Sequence, residues 1–189
     1  VSSMLDRGDI LLAEVMFHEL AHQLVYFQDD TDFNEAFATV VGEYGVRQWL
    51  RETDPEALPR YEKWLSQKEA FIQLLRDASD DLKLVFLTAE TVEEKQLGKQ
   101  AVFSALRQNY EQLKRRWDGK MAYDKWFDKP VNNARLATVA TYRDLVPDFA
   151  RWLQACDYEF ERFYTQILTW QGVEEASRQV KLKSDAFCS

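Results

Sequence analysis

Apolar side chains recur every three or four positions over most of the chain, which is the spacing of amphipathic helices. The first such segment predicts a helix over residues 9–27, with Asp9 as its N-cap. A polar turn at residues 28–32 precedes a second predicted helix over residues 33–52. Alternating apolar and polar positions, which indicate half-buried strands, are scarce. The pattern therefore predicts a mainly α fold with little or no β-sheet.

A long helical hairpin is predicted from residues 57–88 and 92–118. Its second segment has one apolar side, which is typical of a helix with a solvated opposite face. Residues 119–145 are mixed in composition and are predicted to be mostly loop. Residues 147–170 are predicted to be helical again. The polar tail, residues 172–189, is expected to fray.

The size of the chain indicates its domain organisation. Its 189 residues are typical of one domain, and 46% hydrophobic residues are enough for a sizeable core. We therefore expect a single domain over residues 1–189, with residues 57–118 as a helical-hairpin subregion. Because the chain begins at Val1 rather than Met, within helix-like sequence, we expect it to be the C-terminal part of a longer protein.

Composition excludes several classes of protein. The net charge of -8 argues against nucleic acid as a partner, since phosphate binding needs clustered Lys and Arg. No apolar run approaches the roughly 18 residues that span a bilayer, so we expect a soluble chain without a transmembrane segment. Cys156 and Cys188 are the only cysteines, and they form neither a disulfide framework nor a C-x-x-C motif.

The two histidines of the chain, His18 and His22, are four residues apart, and Glu19 follows the first. This is H-E-x-x-H, the pattern of zinc peptidases. On a helix, residues i and i+4 share one face, so both imidazoles can bind one Zn²⁺ ion. Glu19 falls beside the metal, where a general base can take a proton from zinc-bound water. The motif therefore predicts a zinc cofactor and hydrolytic chemistry.

A catalytic zinc site also needs a third protein ligand and an open position. Because the chain has no third histidine, a carboxylate must supply that ligand. Glu35 is our choice, since its small neighbours Ala36 and Ala38 permit close approach of two helices. Glu43, two turns later, is the reserve candidate. Further carboxylates lie in the turn between the helices: Asp29, Asp30 and Asp32. A zinc site that serves structure only is the alternative interpretation.

The arrangement resembles the gluzincin peptidases, the thermolysin-like family. There, H-E-x-x-H supplies two ligands and the base, and a later Asn-Glu-Ala supplies the third ligand. His18, Glu19, His22 and Glu35 match that pattern, so the resemblance implies a zincin-like helical domain. Thermolysin-like enzymes carry an Asp four residues after the ligand Glu, where it orients a histidine. Thr39 occupies that position in this chain. We therefore expect either Thr39 or a carboxylate elsewhere in the chain to orient the histidine.

A second resemblance is carried by residues 17–23, 30–31, 33–39, 132–136, 141–142 and 146–147. In these segments the chain is similar to a bacterial family of predicted aminopeptidases. The resemblance implies a peptide substrate and aminopeptidase activity. Members are typically longer at the N-terminus and often carry a lipoprotein signal, which implies a cell-envelope location.

Peptide hydrolysis also needs groups that bind the substrate. The reaction passes through an oxyanion that requires a donor besides the metal. With both histidines used as ligands, Tyr142 is the predicted donor and Arg135 is the alternative. Asn132 and Asn133, together with Arg135, are predicted to bind the peptide. Glu43 is a candidate for binding the free amine of the substrate.

Two other functions remain open. In the first, the chain binds zinc but has no catalytic activity, and the hairpin of residues 57–118 is an interaction surface. In the second, it hydrolyses an amide other than a peptide.

Overall fold

The described part of the chain is built from helices. The structure is a computed structural model that describes residues 7–117, 123–133, 135–136, 144–186 and 188. No strand occurs within these ranges, and the predicted mainly α fold is confirmed. The helices are α1 (Arg7–Leu24), α2 (Thr31–Thr53), α3 (Leu58–Thr88), α4 (Val92–Arg116), α5 (Asp124–Phe127), α6 (Val146–Ala155), α7 (Phe160–Leu168) and α8 (Glu175–Lys183).

The chain divides into two compact units, Val1–Lys63 with Tyr142–Ser189, and Trp64–Thr141. In the first unit α1 packs along α2, α2 packs on α6, and α6 contacts α7 and α8. Edge-to-face and stacked aromatic rings fill the core between α2, α6 and α7. Helix α1, which packs on α2, contributes Ala21 to this core. The largest fully buried aromatic side chains of the core are Phe33, Phe37, Phe149, Phe163 and Trp170.

The second unit contains most of α3, together with α4 and α5. Its helices share a seam to which α3 contributes Phe71, Leu75 and Leu82, and α4 contributes Leu106 and Tyr110. These residues recur at helical spacing and are almost completely buried. The seam therefore has the one-sided apolar pattern that the sequence of α4 indicates.

A capping box begins α4. The Thr91 side chain accepts a hydrogen bond from the Glu94 N–H at 3.1 Å, and the Glu94 carboxylate accepts from the Thr91 N–H at 3.1 Å. The two side chains satisfy backbone donors that a helix start leaves unpaired. This explains why the hairpin turn ends at residue 91.

Residues 147–170 form two helices rather than the one that was predicted. The break lies between α6 and α7, where Asp157 and Tyr158 have φ of 58° and 60°. These are left-handed backbone conformations that a helix does not allow. Apolar spacing continues across the break, so periodicity alone did not reveal it.

The expectation that the C-terminal tail frays is wrong. Residues 175–183 form α8, in which Leu182 is completely buried. The Leu182 carbonyl accepts hydrogen bonds from the Trp152 indole at 2.9 Å and from the Arg151 guanidinium at 2.9 Å. Cys156 forms a disulfide with Cys188, a pair to which the sequence analysis assigned no role. The tail is therefore anchored by contacts that are distant in sequence.

The described helices include none that is long and apolar enough to cross a membrane.

Candidate metal centre

Three side chains from α1 and α2 converge on one point. The Nε2 atoms of His18 and His22 are 3.1 Å apart. The Glu35 carboxylate faces both rings, with Oε2 3.4 Å from His18 Nε2 and Oε1 3.5 Å from His22 Nε2. This trio is the one group of His, Cys, Asp and Glu in the described part of the chain whose geometry could hold a metal ion.

These separations suit zinc. Ligand atoms about 2.0–2.1 Å from a tetrahedral zinc lie about 3.3–3.4 Å from one another. The separations of 3.1, 3.4 and 3.5 Å between the donor atoms are close to this ligand-to-ligand distance. Two imidazoles and one carboxylate are also the donor set of many catalytic zinc sites, which keep the fourth position open. The residues present therefore fit a zinc ion.

The connection between α1 and α2 positions Glu35. The Asn34 side chain accepts a hydrogen bond from the Phe27 N–H at 2.9 Å and donates one to the Phe27 carbonyl at 2.7 Å. Asp30 caps α2, because its Oδ1 accepts from the Phe33 N–H at 3.3 Å. Asp29 takes a φ of 62°, a left-handed conformation that Asp tolerates better than most residues. Together these residues reverse the chain within a few residues and place Glu35 in the first turns of α2.

Glycines on α2 allow α1 to come close. A Cβ at Gly42 would lie 3.0 Å from the Glu14 carbonyl oxygen and 3.5 Å from His18 Cβ. A Cβ at Gly45 would lie 3.0 Å from the Phe17 ring. The sequence pattern predicted the close approach from the alanines beside Glu35. The two glycines, which are three positions apart on the same side of α2 and face the segment that precedes His22, were not predicted to contribute.

The centre is partly accessible to solvent. The side chains of His18 and His22 are 24% and 21% exposed, and that of Glu35 is 37% exposed. Such exposure leaves room for water and a substrate on one side. His22 Nδ1 is buried and has no hydrogen-bond partner within the described ranges. Within those ranges, neither Thr39 nor a carboxylate therefore binds His22 through Nδ1.

Glu19 directly follows His18 on α1, and it is exposed. Its side chain therefore leaves the helix to one side of the face that carries His18 and His22. The same solvent-facing side of α1 carries five large apolar side chains that are at least half exposed. They are Leu12, Val15, Met16, Leu20 and Leu24.

The reserve ligand Glu43 has different surroundings from Glu35. It is buried on α2, whereas the Glu35 side chain is 37% exposed. Burial and then the hydrogen-bonded Glu14 carboxylate raise the pKa of the Tyr61 hydroxyl far above its ordinary value, and the charge of Glu43 raises it further. Glu43 does not join the group formed by the histidines and Glu35.

The carboxylates of the turn also have other surroundings. Asp30 is buried and is bound to Arg178 as well as capping α2. Burial, followed by the charges of Asp30 and Asp144, raises the pKa of Asp32. Asp29 is exposed. None of the three belongs to the cluster around the histidines.

The predicted substrate-binding residues belong to the second unit. Arg135 donates hydrogen bonds from Nη2 to the Trp126 carbonyl at 2.6 Å and from Nη1 to the Lys129 carbonyl at 2.9 Å. The Asn132 side chain accepts from the Arg135 N–H at 2.9 Å, and Asn133 is exposed. In this structure Arg135 and Asn132 thus bind their own segment. Their roles toward a peptide, and that of Asn133, remain predictions.

Tyr142, the predicted oxyanion donor, lies outside the described residues. Its role also remains a prediction.

Comparison with known proteins gives one match. The model of the family described as "Putative aminopeptidase" matches residues 1–182, which is nearly the whole chain. Among the curated proteins and the solved structures, none matches the chain.

Proposed function

The chain belongs to the putative aminopeptidase family, and from that premise we propose that it is a zinc-dependent aminopeptidase of the gluzincin type. The family supports peptidase activity, and peptides are its plausible substrates. The dependence on zinc, the ligand set and the mechanism are our proposals. In this account His18, His22 and Glu35 hold the ion.

One observation carries the proposal. The Glu35 carboxylate, 17 residues from His18 in sequence, faces both histidine Nε2 atoms at 3.4 and 3.5 Å. A purely structural role for two half-buried histidines does not require a carboxylate in this position. When bound, zinc supplies a Lewis acid that polarises a carbonyl group and lowers the pKa of a bound water to about 7.

Glu19 is the proposed general base and general acid. Its carboxylate takes a proton from the attacking water and then delivers it to the nitrogen of the leaving amine. The exposure of Glu19 beside the ligands supports this role, since a substrate must reach it. Tyr142 is proposed to donate a hydrogen bond to the oxyanion that forms from the scissile carbonyl.

The disulfide is relevant to the cellular compartment of the protein. Disulfides persist in oxidising compartments and are rare in the cytosol. The bond between Cys156 and Cys188 therefore supports our proposal that the protein works in the cell envelope.

A second candidate function is favoured by the surface of α1. Leu12, Met16, Leu20 and Leu24 are spaced four residues apart on that helix, and each is at least half exposed. Contiguous apolar residues at a surface are typical of interaction sites. A zinc-binding interaction module without catalytic activity is thus the alternative to a peptidase.

Peptides with free and with acetylated N-termini test the proposal. We expect the zinc-loaded protein to cleave the free peptides and to leave the acetylated ones intact, because an aminopeptidase binds the free amine. Cleavage of both sets would indicate an endopeptidase. Cleavage of neither, with zinc bound, would favour the interaction module. The Glu19→Gln variant is the control for a contaminating peptidase.

A further inference from the structure

The C-terminal helix binds the turn that leads into the metal centre. Arg178 of α8 donates to Asp30 Oδ2 from Nη2 at 2.6 Å and from Nε at 3.2 Å. The two side chains are only 9% and 2% exposed. The guanidinium also lies over the Phe27 ring, with its carbon 4.8 Å from the ring centre, and donates to the Val173 carbonyl.

The two carboxylate oxygens of Asp30 accept hydrogen bonds from two different helices. Oδ2 receives Arg178, while Oδ1 accepts from the Phe33 N–H in the first turn of α2. The Asp30 carbonyl also accepts from the Asn34 N–H at 3.1 Å. One buried residue therefore joins α8 to the start of the helix that carries Glu35.

We propose that Arg178 is a positioning residue for the metal centre, acting through Asp30 to place Glu35 opposite His18 and His22. This inference rests on the proposed zinc site. Asp30 is five residues before Glu35, so a rotation of the α2 start moves the carboxylate relative to α1. Because the turn between α1 and α2 is short, the ion pair and the Asn34 contacts are what fix its geometry.

Electrostatics alone predicts the opposite effect. Removing the positive charge of Arg178 lowers the repulsion of a divalent cation and should strengthen zinc binding. Loss of positioning should weaken it instead. The direction of the change in zinc affinity therefore separates the two accounts.

Two variants of Arg178 supply the test. Arg178→Met removes the charge but keeps a long side chain against the Phe27 ring. Arg178→Lys keeps the charge but loses the planar guanidinium whose Nε and Nη2 both donate to Asp30 Oδ2. If Arg178→Met does not fold, Arg178→Lys carries the test alone, since its net charge is that of the wild type.

The matched control lies in the same unit. Arg47 donates to Glu62 Oε1 at 2.8 Å and to Oε2 at 3.3 Å, and it is half-buried. Arg47 is twelve residues after Glu35, or about 18 Å along α2. Arg47→Met thus breaks another arginine–carboxylate ion pair with two hydrogen bonds, a more exposed one, without touching the turn before α2.

The measurement is the zinc dissociation constant of the full chain, by competition with a chelator, at a temperature where circular dichroism shows each variant folded. We expect Arg178→Met to weaken zinc binding about tenfold. This is the lower end of the range of affinity losses seen when residues that support metal ligands are replaced. Arg178→Lys should weaken it by about threefold, since the charge-assisted contact survives in part. Arg47→Met should lower the melting temperature and leave the zinc affinity within about twofold, as expected for distant sites.

Two results would overturn the inference while zinc binding stands. One is unchanged or tighter binding by Arg178→Met and Arg178→Lys. The other is a loss of affinity by Arg47→Met as large as that by the Arg178 variants. A wild-type chain that binds no zinc would instead refute the proposed function, and the positioning role with it.

Discussion

Asn34 and Phe27 exchange two hydrogen bonds across the turn between α1 and α2, at 2.9 and 2.7 Å. The Asn34 amide thus pairs with both backbone groups of Phe27, as a neighbouring strand would. Asn34 is buried, so these bonds satisfy polar groups that burial would otherwise leave unpaired. The pairing fixes the residue directly before Glu35, and it gives the Asn of the Asn-Glu pair a structural role.

Replacing Glu35 should impair zinc binding far more than replacing Glu43. Glu35→Gln is expected to raise the zinc dissociation constant by more than about 100-fold. This exceeds the loss of affinity that is typical when a residue that only hydrogen-bonds a metal ligand is replaced. Glu43→Gln should change the dissociation constant by less than about threefold, because Glu43 lies outside the donor group. Chelator competition measures both. The reverse order would contradict the assignment of Glu35.

Much of the site could be predicted from the sequence because it depends on local spacing. An i, i+4 histidine pair needs only a helix to share a face, and the scarcity of histidine directs attention to carboxylates such as Glu35. The contacts that hold Glu35 in place could not be predicted in this way. The pairing of Asp30 with Arg178 spans 148 residues, and no local pattern indicates it.

Replacing Gly42 with Ala should affect both stability and zinc binding. The new Cβ would lie 3.0 Å from the Glu14 carbonyl oxygen, which cannot move without shifting α1. We expect a loss of about 1–3 kcal/mol from overpacking, reduced by about 1 kcal/mol through the better helix propensity of Ala. Zinc affinity should fall as well, since a shift of α1 at Glu14 moves His18, about one turn later, relative to Glu35.

Gly98 provides the control for that substitution. A Cβ there would lie 2.5 Å from Val85 Cγ1, in the second unit. Gly98→Ala should alter stability in urea unfolding and leave the zinc affinity unchanged. Gly42→Ala with wild-type zinc affinity would refute the role of the close helix approach.

The capping box of α4 should give the protein a pH-dependent contribution to stability. Hydrogen bonds from the Thr91 and Glu90 N–H groups lower the pKa of Glu94 from its ordinary value of 4.5. Because the folded-state pKa is lowered, the stabilisation is complete above the unfolded-state pKa. It is lost as pH falls through the lowered value. Carbon-13 NMR of the Glu94 carboxyl should show a midpoint below that of the urea-unfolded chain, and an equal midpoint would refute the effect.

Loss of the disulfide should destabilise the first unit. Cys156 and Cys188 are 32 residues apart, and closing a loop of that length lowers the conformational entropy of the unfolded chain by the equivalent of about 4 kcal/mol. The double variant Cys156→Ala, Cys188→Ser should show this loss in urea unfolding, and reductant should have no further effect on it. Two free thiols in the unfolded wild type, without reductant, would contradict the bond.

In the fold, too, the features that depend on local spacing could be predicted, and those that depend on contacts distant in sequence could not. Helices α2, α3 and α4 agree with the predicted ranges to within a few residues, because their apolar spacing is continuous. The break at Asp157 and Tyr158 was missed, because left-handed backbone at these residue types leaves no trace in periodicity. The polar composition of α8 concealed its docking, which depends on Leu182, Arg178 and the disulfide.

The central claim is hydrolysis that depends on zinc and on Glu19. The most direct measurement compares zinc content and peptide cleavage for the wild type and Glu19→Gln. We expect about one zinc per chain in both proteins, with cleavage by the variant lower by a factor of about 10²–10⁴, the usual contribution of a general base. Absence of zinc from the wild type, or equal cleavage by the variant, would contradict the account.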